Sequence, residues 1–238
     1  MNLTNVIKAA AKPIPLGGKA IEFVYERKCY LIASKKGSFS QYGEDLFLRD
    51  YFADRRQPGN YIDVGAGHPF IISNTYLLYT LGWRGITVEP ITHFFNKHRK
   101  YRPEDIQLQY GVADSKGVLP FFEMTPEVLS TCDPEEVDRL IRDKMAVLLR
   151  KREINVVTLA EICNKYLSSQ QLDLLSIDTE GLELQVLQGL DWTVTQPELI
   201  ICEFSTTTHA CEGLASFLTQ KGYRQLKVLG CNTIWGKS

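Results

Sequence analysis

The stretch "NYIDVGAGHPF", residues 60–70, is the clearest indication of the fold in this 238-residue chain. An apolar run ends at Asp63 and Val64, and the glycines Gly65 and Gly67 follow it before an unusual His-Pro pair. A short apolar strand that leads into a glycine turn is typical of the first strand of an open α/β sheet. Ligands of such sheets bind outside the carboxyl ends of the strands. The sequence therefore predicts that this turn holds a ligand.

The rest of the chain alternates between strand and helix patterns. Continuous apolar runs such as "LDLLSID" and "PELIICEF" are separated by amphipathic stretches such as "THFFNKHRKY". This alternation predicts an α/β fold with a mostly parallel sheet and helices on both of its faces. The last two strand patterns, "YRQLKVLG" and "CNTIWGK", are joined by a short turn. They predict an antiparallel C-terminal hairpin at one edge of the sheet.

We expect one large domain with a small addition at its N-terminus. Residues 1–37 carry seven Lys or Arg against two Glu and predict a basic helical appendage, and residues 38–238 form the main domain. Ser40 is a candidate cap for the first helix of that domain. An insertion at about residues 117–153 opens with a strand and continues into the charged helical stretch "PEEVDRLIRDKMAVLLRKRE". It could cap a substrate cleft.

Charge and composition exclude several classes of function. The net charge of −1 gives no overall attraction to DNA or RNA, so we expect no nucleic-acid partner. The six cysteines are scattered without metal-ligand spacing, a pattern that suits a reducing cytoplasmic location. No run approaches the roughly 20 apolar residues that cross a bilayer, so we expect a soluble protein. The basic N-terminus could still give weak contact with an anionic membrane surface.

The residues of the turn indicate the kind of ligand. A dinucleotide site needs a third glycine, but Phe70 stands at that position, and the Gly-Lys-Ser/Thr ending of a phosphate loop is absent. Gly65 and Gly67 still allow a ligand to approach the backbone, and Asp63 adds negative charge nearby. In "ITVEP", Glu89 ends the next strand, where a carboxylate can accept hydrogen bonds from both hydroxyls of a ribose. Together they predict S-adenosylmethionine, a nucleoside ligand with a positively charged sulfonium.

Several motifs together resemble one known family. "SQYGED", "IDVGAGHP", "GWRGITVEP", "GVAD" and "DTEGLELQVLQGL" follow one another as in FkbM-type methyltransferases. The resemblance implies a class I S-adenosylmethionine-dependent methyltransferase with a Rossmann-like seven-stranded sheet, parallel except for its last strand. It also implies O-methylation of a hydroxyl on a sugar, a glycan or a secondary metabolite.

The resemblance further implies which residues contact the cofactor. Asn74 would open a helix and meet the cofactor carboxylate, and Asp114 would reach the adenine amino group. Glu89 would take the ribose, while the "SQYGED" loop, with Asp45 nearby, would lie near the methionine tail. With Asp63 added from its place in the turn, the predicted cofactor site is Gln41, Tyr42, Gly43, Asp63, Gly65, Ala66, Gly67, Asn74, Glu89, Val112, Ala113 and Asp114.

Methylation of a hydroxyl requires a group that removes its proton. An aliphatic hydroxyl is a poor nucleophile at neutral pH, so a general base or a bound metal ion is needed. Asp178 follows a predicted strand and is the candidate base, or a ligand of a divalent metal ion such as magnesium. Glu180 would orient it, or else cap the following helix. Glu203 ends the next strand, where a structural role is expected.

The histidines and aromatic residues supply further candidates. His68 lies beside a strand end and is a candidate catalytic base, and His209 is a second one. We expect His93 and His98 on the exposed, polar side of their helix. Trp83 and Trp192 are predicted to pack in the core. The residues that could line an acceptor pocket are Tyr42, Phe121 and Phe122.

Two other functions remain open. Methylation of a nucleic-acid base nitrogen would call for an Asn/Asp-Pro-Pro-aromatic sequence after the fourth parallel strand, where "DTEG" stands instead. A cofactor-binding protein without turnover would keep the same cofactor residues. The sequence does not indicate the oligomeric state.

Overall fold

The computed structural model describes residues 18–167, 171–203 and 210–237. The predictions for His209 and for residues 1–17 of the appendage lie outside the described residues. The helices are α1 (Gly18–Lys36), α2 (Glu44–Tyr51), α3 (Tyr76–Thr80), α4 (Thr92–Tyr101), α5 (Pro134–Arg142), α6 (Leu159–Tyr166), α7 (Glu183–Gln188) and α8 (Ala210–Gln220). The strands are β1 (Asn60–Val64), β2 (Arg84–Val88), β3 (Ile106–Leu108), β4 (Gly111–Val112), β5 (Gly117–Thr125), β6 (Val147–Val157), β7 (Leu174–Ile177), β8 (Leu199–Glu203), β9 (Tyr223–Leu229) and β10 (Asn232–Lys237).

A seven-stranded sheet in the order β3-β2-β1-β7-β8-β10-β9 forms the centre of the fold. Strands β3, β2, β1, β7 and β8 are parallel, whereas β10 is antiparallel to both β8 and β9. The predicted mixed α/β sheet with an antiparallel C-terminal hairpin is therefore confirmed. The chain leaves β1 towards β2 and later returns to its other side as β7. This reversal of strand order opens a crevice outside the carboxyl ends of β1 and β7.

Side chains point alternately to the two faces of the sheet along each strand, so the core is divided between these faces. On β1, Ile62 and Val64 face one side and pack in a cluster with residues of α6, α7 and α8. Tyr61 faces the other side and packs with residues of α2 and α3 and with Trp83. Helices therefore cover both faces, and the predicted core position of Trp83 is confirmed. Trp192 is half-buried and packs edge-on against Phe217, with ring centroids 5.7 Å apart.

A buried polar network fixes the end of the sheet beneath the glycine turn. The guanidinium group of Arg102 is fully buried, and its Nε donates to Asp105 at 2.8 Å. Its Nη2 donates to the hydroxyls of Tyr61 at 2.6 Å and Thr75 at 2.9 Å. Thr75 in turn donates to Asp63 at 2.5 Å. These contacts join β1, α3, α4 and the start of β3 into one rigid support.

The insertion differs from the prediction in its second half. Its helix α5 ends at Arg142, and residues 147–153, predicted to be helical, belong to β6. This strand pairs antiparallel with β5 and parallel with β4 in a separate sheet of order β4-β6-β5. The pairing places Arg150 and Arg152 beside Glu123, with Nε to carboxylate distances of 2.5 Å. Cross-strand pairing thus overrides the helix-forming composition of this stretch.

Candidate active site

A cavity of about 350 Å³ lies at the carboxyl ends of the parallel strands, between the main sheet and the insertion. The turn after β1 forms one wall, and Glu89 after β2 lies on the same side. Asp178 follows β7, and Glu203 ends β8. The reversal of strand order between β1 and β7 therefore opens into a concave pocket lined with carboxylates.

The glycine turn fits closely against the strand that carries Asp178. Gly65 has a φ of 72°, and a Cβ atom there would lie 1.7 Å from the carbonyl oxygen of Asp178. Only glycine fits this position, because both the backbone angle and the space exclude a side chain. The Asp178 backbone N–H donates to the Val64 carbonyl oxygen at 3.0 Å. The turn and the Asp178 loop thus form adjoining parts of the same cavity wall.

Glu89 is held rigidly beside the turn. Its Oε2 accepts from the Gly67 N–H at 2.8 Å, and its Oε1 accepts from the Ile91 N–H at 2.6 Å. The side chain is only 4% exposed, and its burial raises the pKa of Glu89 to about 7. Each carboxylate oxygen keeps a lone pair beyond its backbone bond, and the residue lines the cavity. The fixed carboxylate can therefore accept two further hydrogen bonds from a ligand.

If Glu89 holds the ribose, as the sequence predicts, its raised pKa makes the affinity for the cofactor depend on pH. Glu89 is protonated in the free protein below about pH 7, and only its ionised form would accept from both ribose hydroxyls and attract a cation. We therefore expect the affinity for S-adenosylmethionine to rise with pH and to be roughly tenfold weaker at pH 6 than at pH 8. Isothermal titration at both values measures the ratio. In Glu89→Gln the part of the pH dependence that is due to this carboxyl should vanish. If the ratio of the affinities at pH 8 and pH 6 is the same as in the wild type, Glu89 is not the group that binds the ribose.

His98 supports the glycine turn from below, which corrects its predicted exposed position. The side chain is fully buried, and Nε2 lies 3.0 Å from the Gly67 carbonyl oxygen. Burial and the nearby Arg102 lower the pKa of His98 to about 3, so the ring is neutral and Nε2 donates this hydrogen bond. The helical spacing of Phe94 and His98, four residues apart on the buried face of α4, was the signal for an inward position. His93 is exposed, as predicted.

The "SQYGED" loop is stabilised by hydrogen bonds to its own acidic residues. Asp45 is fully buried and accepts from the Phe39 N–H at 2.6 Å and from the Ser40 hydroxyl at 2.7 Å. Glu44, also fully buried, accepts from the Tyr42 N–H at 2.8 Å and from the Asn232 side chain at 2.7 Å. These bonds hold the loop in a shape in which Gln41 and Tyr42 line the cavity.

Ser40 does not cap α2, although it was the predicted cap. Gly43 occupies the N-cap position, with a φ of 91° and no side-chain cap. The Ser40 hydroxyl instead accepts from the backbone N–H groups of Gly43 at 3.1 Å and Asp45 at 3.3 Å. It thus bonds to one N–H of the loop and to one N–H of the first helical turn without occupying the cap position.

Three carboxylates converge at the floor of the cavity. One oxygen each from Asp178, Glu180 and Glu203 can be chosen so that all three lie within 4.8 Å of one another. The Asp178 side chain is open to the lumen, yet the surrounding protein and the charges of Glu203 and Glu180 raise its pKa well above the ordinary value. Burial and repulsion from Glu203 likewise raise the pKa of Glu180. The cluster therefore holds protons at a pH where isolated carboxylates would be ionised.

Glu183, rather than Glu180, bonds to the backbone of this loop. Its Oε1 accepts from the Thr179 N–H at 2.9 Å, the Thr179 hydroxyl at 3.0 Å and the Gly181 N–H at 3.2 Å. Glu180 has a φ of 54°, a region that residues with side chains seldom adopt, and it lines the cavity. The bonds made by Glu183 hold that conformation and leave the Glu180 carboxylate facing the other acids. Sequence reasoning missed Glu183, although an acid in the first turn of the predicted helix "LELQVLQGL" is a common helix-start signal.

Removal of the Glu183 carboxylate should loosen this loop. We expect Glu183→Ala to lower the free energy of unfolding by about 1–3 kcal/mol, because the mutation leaves three partly buried donors without a partner. Urea unfolding followed by circular dichroism measures the change. Glu183→Gln keeps one acceptor oxygen and should lose less. A wild-type unfolding midpoint for Glu183→Ala would show that the three bonds do not stabilise the loop.

The structure brings most of the predicted site residues to one cavity. Those that line it are Gln41, Tyr42, Gly65, Ala66, Gly67, His68, Glu89, Val112, Asp178 and Glu180. Of the predicted acceptor-pocket residues, Tyr42 and Phe121 line it, whereas Phe122 packs against the apolar cluster under α5. The remaining predicted cofactor residues are not among the lining residues: Gly43, Asp63, Asn74, Ala113 and Asp114.

Two of the predicted cofactor residues outside the cavity differ from their predicted positions or contacts. Asp63 was predicted to place charge beside the ligand, but it is buried next to Arg102, whose Nη1 lies 3.9 Å away. Asn74 was predicted to open a helix, but α3 begins at Tyr76 with Thr75 as its cap. The Asn74 side chain lies 3.5 Å from the Ser176 hydroxyl. Asp114 is exposed to solvent.

His68 lies on the cavity wall with both ring nitrogens engaged. Nδ1 accepts from the backbone N–H groups of Phe70 at 3.4 Å and Ile71 at 3.3 Å. Nε2 lies 3.2 Å from the Glu26 carboxylate and therefore donates to it. Burial lowers the pKa of His68, opposed by Glu26. The ring links the glycine turn to α1.

The insertion supplies the remaining wall and a cation that sequence reasoning missed. Val128 and Met145 line the cavity from the insertion, next to Phe121 of β5. Arg139 of α5 also lines it and pairs with Glu136, with an Nε to Oε2 distance of 2.7 Å. Its charge opposes the raised pKa of Glu180. The predicted role of the insertion as a cap is compatible with this position but stays a prediction.

Comparison with known proteins identifies a family. Residues 63–225 match the model of the family described as "Methyltransferase FkbM domain". No curated protein sequence matches the chain significantly.

Solved structures of methyltransferases are distantly similar to this chain. A TehB-like SAM-dependent methyltransferase from Corynebacterium glutamicum is 11% identical, with 92% of this chain and 100% of that chain covered and a TM-score of 0.42. A putative RNA methyltransferase from Pyrococcus horikoshii is 10% identical, with coverages of 82% and 83% and a TM-score of 0.43. The delta-N METTL16 methyltransferase domain is 13% identical, with coverages of 91% and 96% and a TM-score of 0.46. Likenesses at this level carry no argument about the substrate.

Proposed function

Because the chain belongs to the methyltransferase FkbM domain family, we propose that it transfers a methyl group from S-adenosylmethionine to a hydroxyl of a sugar, a glycan or a secondary metabolite. The observation that carries the choice of a hydroxyl is the convergence of Asp178, Glu180 and Glu203 within 4.8 Å beside the glycine turn. A hydroxyl acceptor needs a base during methyl transfer, and a carboxylate with a raised pKa is suited to that task at neutral pH.

The residues of the cavity fit S-adenosylmethionine in shape and charge. Gly65 brings the backbone to the cavity wall without a side chain, and Glu89 offers two fixed oxygens for a ribose. The lining carboxylates outnumber the one lining cation, Arg139, among the described residues, which suits a positively charged ligand. The cofactor, when bound, supplies an activated methyl group. We assign Gln41, Tyr42, Gly65, Ala66, Gly67, Glu89 and Val112 to its binding site.

Asp178 is the best placed of the candidate bases. Its carboxylate is open to the lumen and its backbone adjoins Gly65, so it can accept a proton from an acceptor hydroxyl held beside the turn. Glu180 and Glu203 would keep its pKa raised by their charge. His68 is less suited, because its ring nitrogens already bond to the backbone and to Glu26. We propose that Glu180 orients Asp178, beside which it lies in the cluster.

A divalent metal ion is the alternative to a free base. Carboxylate oxygens are the ligands that magnesium and calcium prefer, and Asp178, Glu180 and Glu203 could each offer one. A metal ion bound there would lower the pKa of a coordinated hydroxyl. Arg139, whose charge acts on Glu180, partly neutralises the same cluster without a metal.

We place the reaction in the cytoplasm, with a small-molecule or glycan acceptor and no nucleic-acid partner. The proposal is supported by five described cysteines that are free thiols, a pattern that suits a reducing compartment: Cys29, Cys132, Cys163, Cys202 and Cys231. Among the described residues, none of the helices combines the length and the hydropathy needed to cross a bilayer.

Two measurements in sequence test this function. Isothermal titration with S-adenosylmethionine should show saturable binding, and a radiolabelled methyl-transfer assay on sugar and small-molecule alcohols should then show product. The assay is run with magnesium and with a chelator to separate the base from the metal alternative. Binding without transfer to any hydroxyl acceptor under either condition would favour a cofactor-binding protein without turnover. Transfer only to nucleic-acid amines would overturn the proposal.

A further inference from the structure

Helix α1 has two faces that differ in charge. Its only described acidic residues, Glu22 and Glu26, lie one turn apart on the face that packs against the domain. Glu26 is 6% exposed and lies next to Lys97, at 2.5 Å, and accepts from the Tyr101 hydroxyl at 2.7 Å. Burial opposes ionisation of Glu26, but the bonds from His68, Lys97 and Tyr101 outweigh it and lower its pKa. Ion pairs and hydrogen bonds therefore hold this face against the domain and balance the charge of its acidic residues.

The outward face combines apolar and basic side chains. Val24 and Leu31 lie seven residues apart on one stripe and are 65% and 59% exposed. Lys28 and Lys35, also seven residues apart, form a neighbouring stripe and are exposed. Arg27 lies on the other side of the aliphatic stripe and is exposed as well. The charged side chains described on this face are thus all cationic.

We propose that the outward face of α1 docks on the surface of an anionic lipid bilayer. Exposed aliphatic side chains flanked by lysine and arginine are the arrangement by which a helix lies in the bilayer interface. The aliphatic stripe enters the boundary between headgroups and acyl chains, and the long basic side chains reach the lipid phosphates. An anionic bilayer is the expected partner because the basic side chains of this face complement the negative charge of the lipid headgroups.

A second copy of the chain fits this face less well. In a symmetric dimer the same patch meets itself, so the basic residues Arg27, Lys28 and Lys35 would face the same basic patch of the second copy. Like charges across such an interface oppose association. An anionic surface, in contrast, is attracted by each basic residue. This inference goes beyond the proposed function and does not depend on it.

The test is sedimentation of the full chain with lipid vesicles. Vesicles of phosphatidylcholine alone are compared with vesicles that also contain phosphatidylglycerol, at low and at high salt. We expect binding to the anionic vesicles only, and weaker binding as salt screens the charges. Equal binding to both vesicle types, or none to the anionic vesicles at low salt, would overturn the proposal.

Two double variants separate the contributions of the face. Lys28→Gln with Lys35→Gln should lower the partition coefficient about thirtyfold, from the loss of two basic residues at the surface. Val24→Ser with Leu31→Ser keeps the charge and should also weaken binding, by at least about tenfold. If the serine variant binds the anionic vesicles as the wild type does, the aliphatic side chains of this face do not enter the bilayer and the proposal fails.

Matched controls exclude general effects of charge and folding. Lys165→Gln with Lys221→Gln removes the same charge from two exposed lysines elsewhere and should bind as the wild type does. Thermal unfolding of each variant should remain close to that of the wild type, because every substituted side chain is exposed. Light scattering measures self-association. A dimer that Leu31→Ser abolishes, without lipid binding, would assign this face to a second copy.

Discussion

Asp178→Asn is expected to lower the turnover number by about 10²–10⁴-fold while it leaves the affinity for S-adenosylmethionine nearly unchanged. The asparagine side chain keeps the size of aspartate but cannot accept the hydroxyl proton, and general-base catalysis is worth about that factor. Asp178 is open to the cavity. Among the described contacts, its carboxylate makes no hydrogen bond to the backbone of the glycine turn, whose Gly67 N–H donates to Glu89 instead. Steady-state kinetics with a hydroxyl acceptor and isothermal titration with the cofactor measure the two effects separately.

The control for this substitution is Glu180→Gln. It removes a neighbouring charge that raises the pKa of Asp178, so it should shift the acid limb of the pH–rate profile to lower pH while retaining part of the activity. Addition of magnesium or a chelator decides whether Asp178 acts alone or through a metal ion. Full activity of Asp178→Asn at saturating cofactor would show that the base lies elsewhere.

Glu89→Ala is expected to weaken cofactor binding by about a hundredfold or more. The variant loses both oxygens that would accept from the ribose, and hydrogen bonds to a charged group are worth about 1.5–3 kcal/mol each. It also frees the N–H groups of Gly67 and Ile91, which Glu89 holds at 2.8 and 2.6 Å. The measurement is isothermal titration with S-adenosylmethionine and with S-adenosylhomocysteine, whose ribose is the same but which lacks the sulfonium charge.

The comparison of the two ligands separates hydrogen bonding from charge. Loss of ribose contacts weakens both ligands alike, whereas loss of charge attraction weakens the sulfonium ligand more. Asp54→Ala removes an exposed carboxylate outside the cavity and should leave both affinities unchanged. If Glu89→Ala folds as the wild type does and binds both ligands equally well, Glu89 does not hold the ribose.

The parts of the fold that the sequence predicted are those with a regular hydrophobic period or a continuous apolar run. The stretch "THFFNKHRKY" forms α4 over the same residues, and the apolar runs "LDLLSID" and "PELIICEF" contain β7 and β8. The order of strand and helix patterns was sufficient to predict a parallel sheet with a terminal hairpin. These features depend on local sequence and on simple connection rules, which a single chain displays.

The parts that the sequence did not predict depend on partners distant in the chain. Residues 147–153 are rich in helix-forming Leu, Lys, Arg and Glu, and only their pairing with β5 makes them a strand. Asp63 and Arg102 are 39 positions apart in the sequence, so the charge that balances Asp63 was not visible beside the turn. Glu180 and Glu183 both follow β7, and only the three-dimensional loop shows which of them bonds to the backbone.

A crystal structure with bound S-adenosylhomocysteine would show whether Glu89 and the glycine turn hold the ribose of the cofactor. We expect the ribose to lie against the glycine turn with both hydroxyls within hydrogen-bond distance of Glu89, and the sulfur to face Asp178. A ligand bound outside this cavity, or a Glu89 carboxylate turned away from the ribose, would contradict it.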